Sequence, residues 1–159
     1  MVDLKIEEIL DNETMGVNLP GKNKEEAIHE LAKLLLEKGY IKETDNFEKD
    51  IFYRETLGKT GIGNYIAIPH GQSESVLKNG IAIGKFSEEI EWETLDDKPV
   101  RIVCLFCVKK GDGGENEHLK MLAVLAGKLG KEEVVDDLLS AKDTAAMKEA
   151  FLLEREGWQ

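Results

Sequence analysis

The sequence is poor in the residues that most often build redox, metal or membrane sites. Of its 159 residues, only two are cysteine, three are histidine and three are proline. No apolar run approaches the roughly 20 residues that a membrane-spanning helix needs. The initial segment MVDLKIEEIL carries acids and lacks the basic and apolar regions of a secretory signal peptide. We therefore expect a cytoplasmic protein that does not insert directly into a membrane.

Basic residues are also in the minority. The chain has 21 Lys and Arg against 32 Asp and Glu, which gives a formal net charge of −11. Nucleic-acid binding needs clustered Lys and Arg side chains that displace the counterions of the phosphates. The composition therefore argues against a nucleic-acid partner, and a protein partner is expected to present a neutral or basic face.

The two cysteines, Cys104 and Cys107, form a C-x-x-C motif within the apolar segment RIVCLFCV. That spacing can indicate a redox pair or half of a zinc site. The flanking residues predict a β-strand, in which positions three apart point to opposite faces. Their Cα atoms are then about 10 Å apart, whereas a disulfide needs less than about 7 Å. We therefore predict that both cysteines pack in the core.

The apolar pattern changes its period twice along the chain. Helical spacing, with N-cap signals at Asn23 and Asp45, predicts helices over residues 24–38, 45–57, 116–129, 132–139 and 143–153. Short apolar runs predict strands over residues 65–68, 81–86 and 100–108. The last of these is apolar on both faces, which requires helices on both sides of the sheet. The sequence thus predicts one α/β domain over residues 1–159, with three layers and a mixed β-sheet flanked by helices on both faces.

The three histidines lie in different surroundings. His29 falls off the apolar stripe of its predicted helix, so we expect it on the surface. His118 falls in the predicted first turn of its helix, on the stripe that continues through Leu122, Leu125 and Leu129. This spacing predicts a ring at the edge of the core beside unpaired amides. A hydrogen-bonded boundary histidine without a function fits the same spacing.

His70 follows an apolar run and a proline in the segment TGIGNYIAIPHGQSES. Pro69 has no amide hydrogen, so we predict that it ends the strand and leaves His70 at the carboxyl end, where open α/β sheets bind ligands. A short helix over residues 72–76, capped by Ser73, is predicted to present free amides to an anion. A strand-end histidine that caps a turn is an equally compatible interpretation.

Together, His70 and His118 predict an anion site between two inward-facing rings. Metal binding is the rival interpretation, because histidine is a common ligand. Two histidines form an incomplete set, however, and no inward Asp, Glu or Cys at ligand spacing accompanies them.

The residues around these histidines resemble a known family. Arg54 with the segment TGIGNYIAIPHG, the motif EW at residues 91–92, DDKPV at 96–100 and EHL at 117–119 are all similar to its signature. The family comprises the type 2 enzyme IIA domains of the bacterial phosphoenolpyruvate-dependent sugar phosphotransferase system, in the fructose–mannitol superfamily. The resemblance covers residues 6–151. One position departs from the family pattern, since Tyr65 stands where glycine is usual.

The resemblance implies a phosphotransferase that carries a phosphoryl group on a histidine during sugar uptake. His70 would accept the group from the phosphocarrier protein HPr and pass it to a cysteine of an enzyme IIB domain. That domain would lie on a separate chain associated with a membrane IIC permease. His118 would stabilise the phosphoryl group or position the ring, and Arg54 would stabilise its charge. No cofactor or metal is implied.

Two further observations bear on this assignment. The chain contains neither G-x-x-x-x-G-K-[ST] nor G-x-G-x-x-G, which fits phosphorylation by a protein rather than by ATP. The signature at His70 is shared by regulatory, nitrogen-type relay proteins of the same fold, so a regulatory role stays open. A small metal-dependent enzyme built on His70 and His118 is the third alternative.

Overall fold

A computed structural model describes residues 5–153. The two ends of the predicted domain, residues 1–4 and 154–159, lie outside the described residues. The helices are α1 (Ile6–Ile9), α2 (Lys24–Glu37), α3 (Asp45–Glu55), α4 (Gly114–Leu129), α5 (Glu132–Ser140) and α6 (Thr144–Leu152), with a 3-10 turn at Asn12–Thr14. The strands are β1 (Met15–Leu19), β2 (Gly61–Gly63), β3 (Ile66–Ala67), β4 (His70–Ser73), β5 (Gly80–Ile90) and β6 (Val100–Lys109).

The strands form one mixed sheet around the central strand β6. The order is β1-β5-β6-β3-β2, and β4 also pairs with β6. β6 runs antiparallel to β5 but parallel to β3 and β4, and β1 runs parallel to β5. The predicted mixed sheet is therefore confirmed. None of the helices described within residues 5–153 is long and apolar enough to cross a bilayer.

Helices cover both faces of this sheet, which confirms the predicted three layers. One face, carrying Ile102 and Cys104, packs against α1, α4, α5 and α6. The other face, carrying Val103 and Cys107, packs against α2 and α3. Both cysteines are buried and free, as predicted, and burial raises the pKa of each thiol to about 12. They are core residues.

Of the two N-cap residues predicted from the sequence, one is confirmed and the other is wrong. Asn23 caps α2, since its side chain accepts a hydrogen bond from the Glu26 amide at 2.8 Å. α3 begins at Asp45, but its N-cap is Thr44, which makes no side-chain cap bond. α3 also ends two residues earlier than predicted, so Arg54 lies in its last turn.

The segment around Pro69 corrects the prediction. β3 ends at Ala67, before Pro69, as predicted, but the chain then continues beside β6 in the same register, since Ala67 pairs with Val103 and His70 with Phe106. Pro69 donates no hydrogen bond, yet its carbonyl accepts one from the Phe106 amide at 3.0 Å. His70 therefore both follows the strand β3 and begins a further strand, β4, which was not predicted. The predicted short helix over residues 72–76 is wrong, because Gln72 and Ser73 belong to β4.

Candidate functional site

His70 is positioned by the strand that carries it and by the glycine that follows. Alternation along β4 turns Gly71 toward α3 and His70 toward the opposite face, where α4 packs. A Cβ atom on Gly71 would lie 3.1 Å from Ile51 Cδ1 and 3.4 Å from the Asp50 carbonyl oxygen. The absence of a side chain at Gly71 thus allows α3 to pack closely against β4.

The imidazole of His70 is half-buried and held by the backbone. Its Nδ1 lies 3.1 Å from the Ile68 carbonyl oxygen. Because a carbonyl only accepts, Nδ1 carries the proton and Nε2 keeps its lone pair. Burial lowers the pKa of His70 below its usual 6.5, the Ile68 hydrogen bond opposes that shift, and the Arg54 charge adds to it. The ring is therefore a neutral nucleophile near pH 7.

His118 lies beside His70 on α4. Its side chain is only 7% exposed, so the inward orientation predicted from the sequence is confirmed. The two histidine rings are 5.2 Å apart between centroids, and the edge of His118 meets Phe106 at 5.0 Å. Burial, with a smaller effect of His70, lowers the pKa of His118 to about 4. α4 begins at Gly114, so His118 lies in the second turn, and its predicted place in the first turn is wrong.

Three buried nitrogen atoms at this site have no hydrogen-bond partner within residues 5–153. They are Arg54 Nη1 and both ring nitrogens of His118. A buried donor left without an acceptor costs about 1–3 kcal/mol, and such atoms are rare in native proteins. A bound anion with several oxygen atoms would serve as acceptor for the N–H groups of both residues. These N–H groups therefore form a candidate anion site.

The three predicted site residues share one cavity of about 500 Å³. Its lining includes three large apolar side chains that are exposed, namely Tyr53, Leu57 and Leu119, at 67%, 63% and 61%. The complete lining comprises Asp50, Tyr53, Arg54, Leu57, His70, Gly71, Gln72, Val108, Lys110, Glu115, His118 and Leu119. The cavity has the character of a small anion pocket set in a surface that a protein can cover.

A larger groove, of about 820 Å³, lies elsewhere on the surface. Its lining includes Lys24, Trp92 and Lys98, and it contains neither His70 nor His118. Volume alone therefore does not identify the reactive site. We assign the function to the smaller cavity, because the buried nitrogens without partners line that cavity.

Comparison with known proteins identifies the family. The family model described as "Phosphoenolpyruvate-dependent sugar phosphotransferase system, EIIA 2" matches residues 8–153. The chain belongs to this family. Members of the family are phosphoryl carriers, so the resemblance drawn from the sequence is confirmed at the level of family and fold.

Relatives of this EIIA chain carry sugar-specific names. It is 37% identical over 149 residues to a mannitol-specific phosphotransferase enzyme IIA component from Halalkalibacterium halodurans, across 92% of this chain and 95% of that protein. It is 34% identical over 144 residues to the fructose-specific EIIABC component of Bacillus subtilis. That match covers 91% of this chain but spans only 22% of the longer relative.

Solved structures of the same family share the fold. The nitrogen regulatory protein IIA-Ntr from Neisseria meningitidis superposes with a TM-score of 0.81 at 26% identity, covering 92% of this chain and 98% of that one. Enzyme IIA mannitol from Escherichia coli, in its complex with phosphorylated enzyme IIB mannitol, superposes with a TM-score of 0.75 at 25% identity. That match covers 90% of this chain and 96% of the other.

The EIIA site also contains groups that the sequence did not reveal. The Ile68 carbonyl sets the protonated nitrogen of His70, and Phe106 supports the ring of His118. The first contact lies in the segment that runs parallel to β6, and the second depends on the packing of α4 over β6, so neither is encoded by a local pattern. His29, predicted on the surface, is exposed and lies 2.7 Å from Glu48.

Within the described part of the chain, the structure adds no further candidate metal ligands to His70 and His118. Among residues 5–153, no group of three or more His, Cys, Asp or Glu side chains is arranged to hold a metal ion.

Proposed function

We propose that His70 accepts a phosphoryl group from the phosphocarrier protein HPr and passes it to the cysteine of an enzyme IIB domain during sugar uptake. In this proposal Arg54 and His118 bind the phosphoryl oxygens. The observation that carries it is the set of buried nitrogens without partners in the cavity that His70 also lines. A phosphoryl group brings three strong acceptor oxygens and negative charge to those N–H groups.

The hydrogen bond to the Ile68 carbonyl determines which atom of His70 reacts. Because Nδ1 keeps its proton, the lone pair of Nε2 attacks phosphorus while the bond from phosphorus to the donor's histidine nitrogen breaks. The ring becomes positive as the Nε2–P bond forms, and the Ile68 carbonyl stabilises the proton on Nδ1. In onward transfer the Nε2–P bond breaks, the IIB thiolate forms an S–P bond, and the ring becomes neutral again.

The surface around the cavity supports protein partners. The exposed side chains of Tyr53, Leu57 and Leu119 offer apolar contact next to the reacting atom. The net charge of −11 favours partners whose docking face is neutral or basic. We place this exchange in the cytoplasm.

Sugar uptake is favoured over regulation by the relatives. The relatives named for mannitol and fructose are 37% and 34% identical in sequence, whereas in structural superposition enzyme IIA mannitol and the nitrogen regulatory protein are 27% and 26% identical. A regulatory relay is the second candidate, because that regulatory protein has the same fold at a TM-score of 0.81. Transfer from phosphorylated His70 to a mannitol- or fructose-type IIB domain separates the two functions, since a purely regulatory relay would not supply such a domain.

The test is reconstitution with phosphoenolpyruvate, enzyme I and HPr. We expect one acid-labile phosphate per chain, absent in His70→Ala and retained in His29→Ala, the matched surface histidine. His118→Ala should be labelled but should pass the group to IIB more slowly. Labelling of His70→Ala at the rate of the unaltered protein would contradict the proposal. Stoichiometric zinc in the purified protein would instead favour the metal-dependent enzyme.

A further inference from the structure

Thr60 has a buried hydroxyl that two different elements hold in place. The residue precedes β2 and is 5% exposed. Its Oγ1 donates a hydrogen bond to Glu55 Oε2 at 2.7 Å and accepts one from Trp92 Nε1 at 2.9 Å. The direction of both bonds is fixed, because the indole only donates and the hydroxyl has a single proton. Thr60 is therefore held between the end of α3 and the segment before β6.

The backbone of the same residue leads to the reactive histidine. The Thr60 carbonyl accepts a hydrogen bond from the Ile68 amide at 2.9 Å. The carbonyl of Ile68 in turn accepts the bond from His70 Nδ1 at 3.1 Å. These hydrogen bonds, linked through the covalent backbone of Thr60 and of Ile68, thus join the Thr60 side chain to the imidazole of His70.

The acidic partner of Thr60 is itself tightly held. The Glu55 side chain is 6% exposed, and its Oε1 lies 2.8 Å from Lys24 Nζ. Lys24 Nζ also lies 5.1 Å from the centroid of the Trp92 ring. Glu55 directly follows Arg54 in the last turn of α3. The network therefore connects the arginine-bearing end of α3 with the peptide that orients His70.

We propose that Thr60 is a positioning residue for phosphoryl transfer, because its clamped hydroxyl fixes the backbone of Ile68, whose carbonyl keeps the proton of His70 on Nδ1. This inference rests on the proposed role of His70. Without the hydroxyl, the Thr60 carbonyl and the Ile68 peptide lose their fixed place, and the His70 ring gains access to the tautomer protonated at Nε2. That tautomer has no lone pair on Nε2 and cannot attack phosphorus through this nitrogen. At metal sites, loss of the partner that fixes the tautomer of a ligating histidine costs about 10–100-fold in affinity or activity, and we expect an effect of the lower magnitude here.

The experiment compares Thr60→Val, which keeps the shape but removes the hydroxyl, with Thr60→Ser, which keeps the hydroxyl. Thr14→Val is the matched control, because Thr14 is fully buried and donates to the Ile81 carbonyl at 2.8 Å. Two quantities are measured, namely the 15N chemical shifts of the His70 ring and the rate of labelling over a range of phospho-HPr concentrations.

We expect Thr60→Val to lower the maximal rate about tenfold with an unchanged KM for phospho-HPr, and to increase the population protonated at Nε2. Thr60→Ser should restore both, and Thr14→Val should change neither. Trp92→Phe removes the hydrogen bond from the indole to Thr60 Oγ1 but keeps an aromatic ring at this position. It should change the maximal rate and the tautomer population in the same direction as Thr60→Val, by a smaller amount. It serves as the test if Thr60→Val does not fold.

A normal tautomer and a normal rate in folded Thr60→Val would overturn the inference. An equal change in Thr14→Val would do the same, since the effect would then belong to any buried hydroxyl. If the unaltered protein is not labelled at all, the proposed function fails. The ring 15N shifts still decide whether Thr60 sets the tautomer, so the two failures are distinguishable.

Discussion

The rings of His70 and His118 lie 5.2 Å apart between centroids and are tilted by 32°. His118 packs edge-on against Phe106 on its other side, while His70 is fixed through its Nδ1. Burial lowers the pKa of both rings, and His70 adds to the shift at His118. Two neutral imidazoles at this distance leave one nucleophilic nitrogen on His70 and one N–H donor on His118, and neither ring adds a positive charge to that of Arg54 in the same cavity.

The depressed pKa of His118 predicts a loss of stability in acid. The pKa of His118 is about 6.5 in the unfolded chain, whereas burial lowers the pKa to about 4 in the folded protein. Between these pH values the unfolded state binds more protons, so the free energy of unfolding falls as pH is lowered, by roughly 3 kcal/mol in total from this group. His118→Phe should lack this contribution. Urea unfolding of the unaltered protein and of His118→Phe at pH 7 and pH 4.5 measures this contribution. If both proteins lose the same free energy of unfolding between the two pH values, the acid sensitivity does not come from His118.

Arg54→Gln should weaken the site in two measurable ways. Loss of a charged donor to the phosphoryl group costs about 2 kcal/mol, which corresponds to about a 30-fold slower acceptance from phospho-HPr. The Arg54 charge lowers the pKa of His70, so its removal should raise that pKa in an NMR titration. Lys49→Gln is the control, since Lys49 is exposed on the same helix and does not line the cavity. Equal rates in the two variants would remove Arg54 from the mechanism.

The elements that could be predicted from the sequence are those long enough to show a period. α2, α4 and β6 have 14, 16 and 10 residues, and their apolar patterns locate them to within two residues. By contrast, α1 and β2 have four and three residues, too few to establish a pattern, and β1 was not predicted either. Fold class therefore follows from the few long elements, and the short ones depend on tertiary pairing.

The candidate site could be predicted only in part for the same reason. His70, His118 and Arg54 could be proposed from the sequence because their residue types and family spacing are visible in the chain, and the structure places all three in one cavity. The sequence did not predict that His70 begins β4, because a proline usually ends a strand. Pro69 lacks an amide hydrogen, but its carbonyl still accepts a hydrogen bond from the Phe106 amide and keeps the chain beside β6. The link from Thr60 to His70 passes through backbone atoms, and backbone contacts leave no signature in side-chain chemistry.

Tyr65→Gly should stabilise the protein. Asn64 and Tyr65 join the antiparallel strands β2 and β3, with φ values of +54° and +69°. A two-residue hairpin with both φ values positive prefers Asn-Gly, which explains the glycine usual in this family at position 65. Glycine removes the steric cost of a left-handed tyrosine but also loses the contact of Lys98 Nζ with the tyrosine ring, whose centroid lies 5.7 Å away. We expect the free energy of unfolding to rise by about 1 kcal/mol on balance. Urea unfolding measures the gain.

Asn64→Gly is the matched control for that substitution, because asparagine tolerates the left-handed conformation far better than an aromatic residue does. We expect a change of only a few tenths of a kcal/mol at position 64. A gain at Asn64 equal to that at Tyr65, or a loss of stability in Tyr65→Gly, would show that the turn is not strained by tyrosine.

Lys85→Met should destabilise the fold and leave phosphoryl acceptance unchanged. Lys85 Nζ donates to the carbonyl oxygens of Leu139 and Ala141, the latter at 2.8 Å, and so satisfies acceptors at the C-terminal end of α5. Burial lowers the pKa of Lys85, and the neighbouring Arg101 adds to that shift. Loss of hydrogen bonds from a charged donor to partly buried carbonyls costs about 2 kcal/mol.

The measurement for Lys85 is the midpoint of urea unfolding together with the labelling rate. Lys33→Met provides the comparison, since Lys33 is 47% exposed in a surface pair with Glu30 and such pairs contribute less than about 1 kcal/mol. Because Lys85 does not line the cavity of His70, a slower labelling rate in folded Lys85→Met would show that α5 supports the site as well as the fold. A midpoint no lower than that of Lys33→Met would show that water replaces the lysine at this helix end without cost.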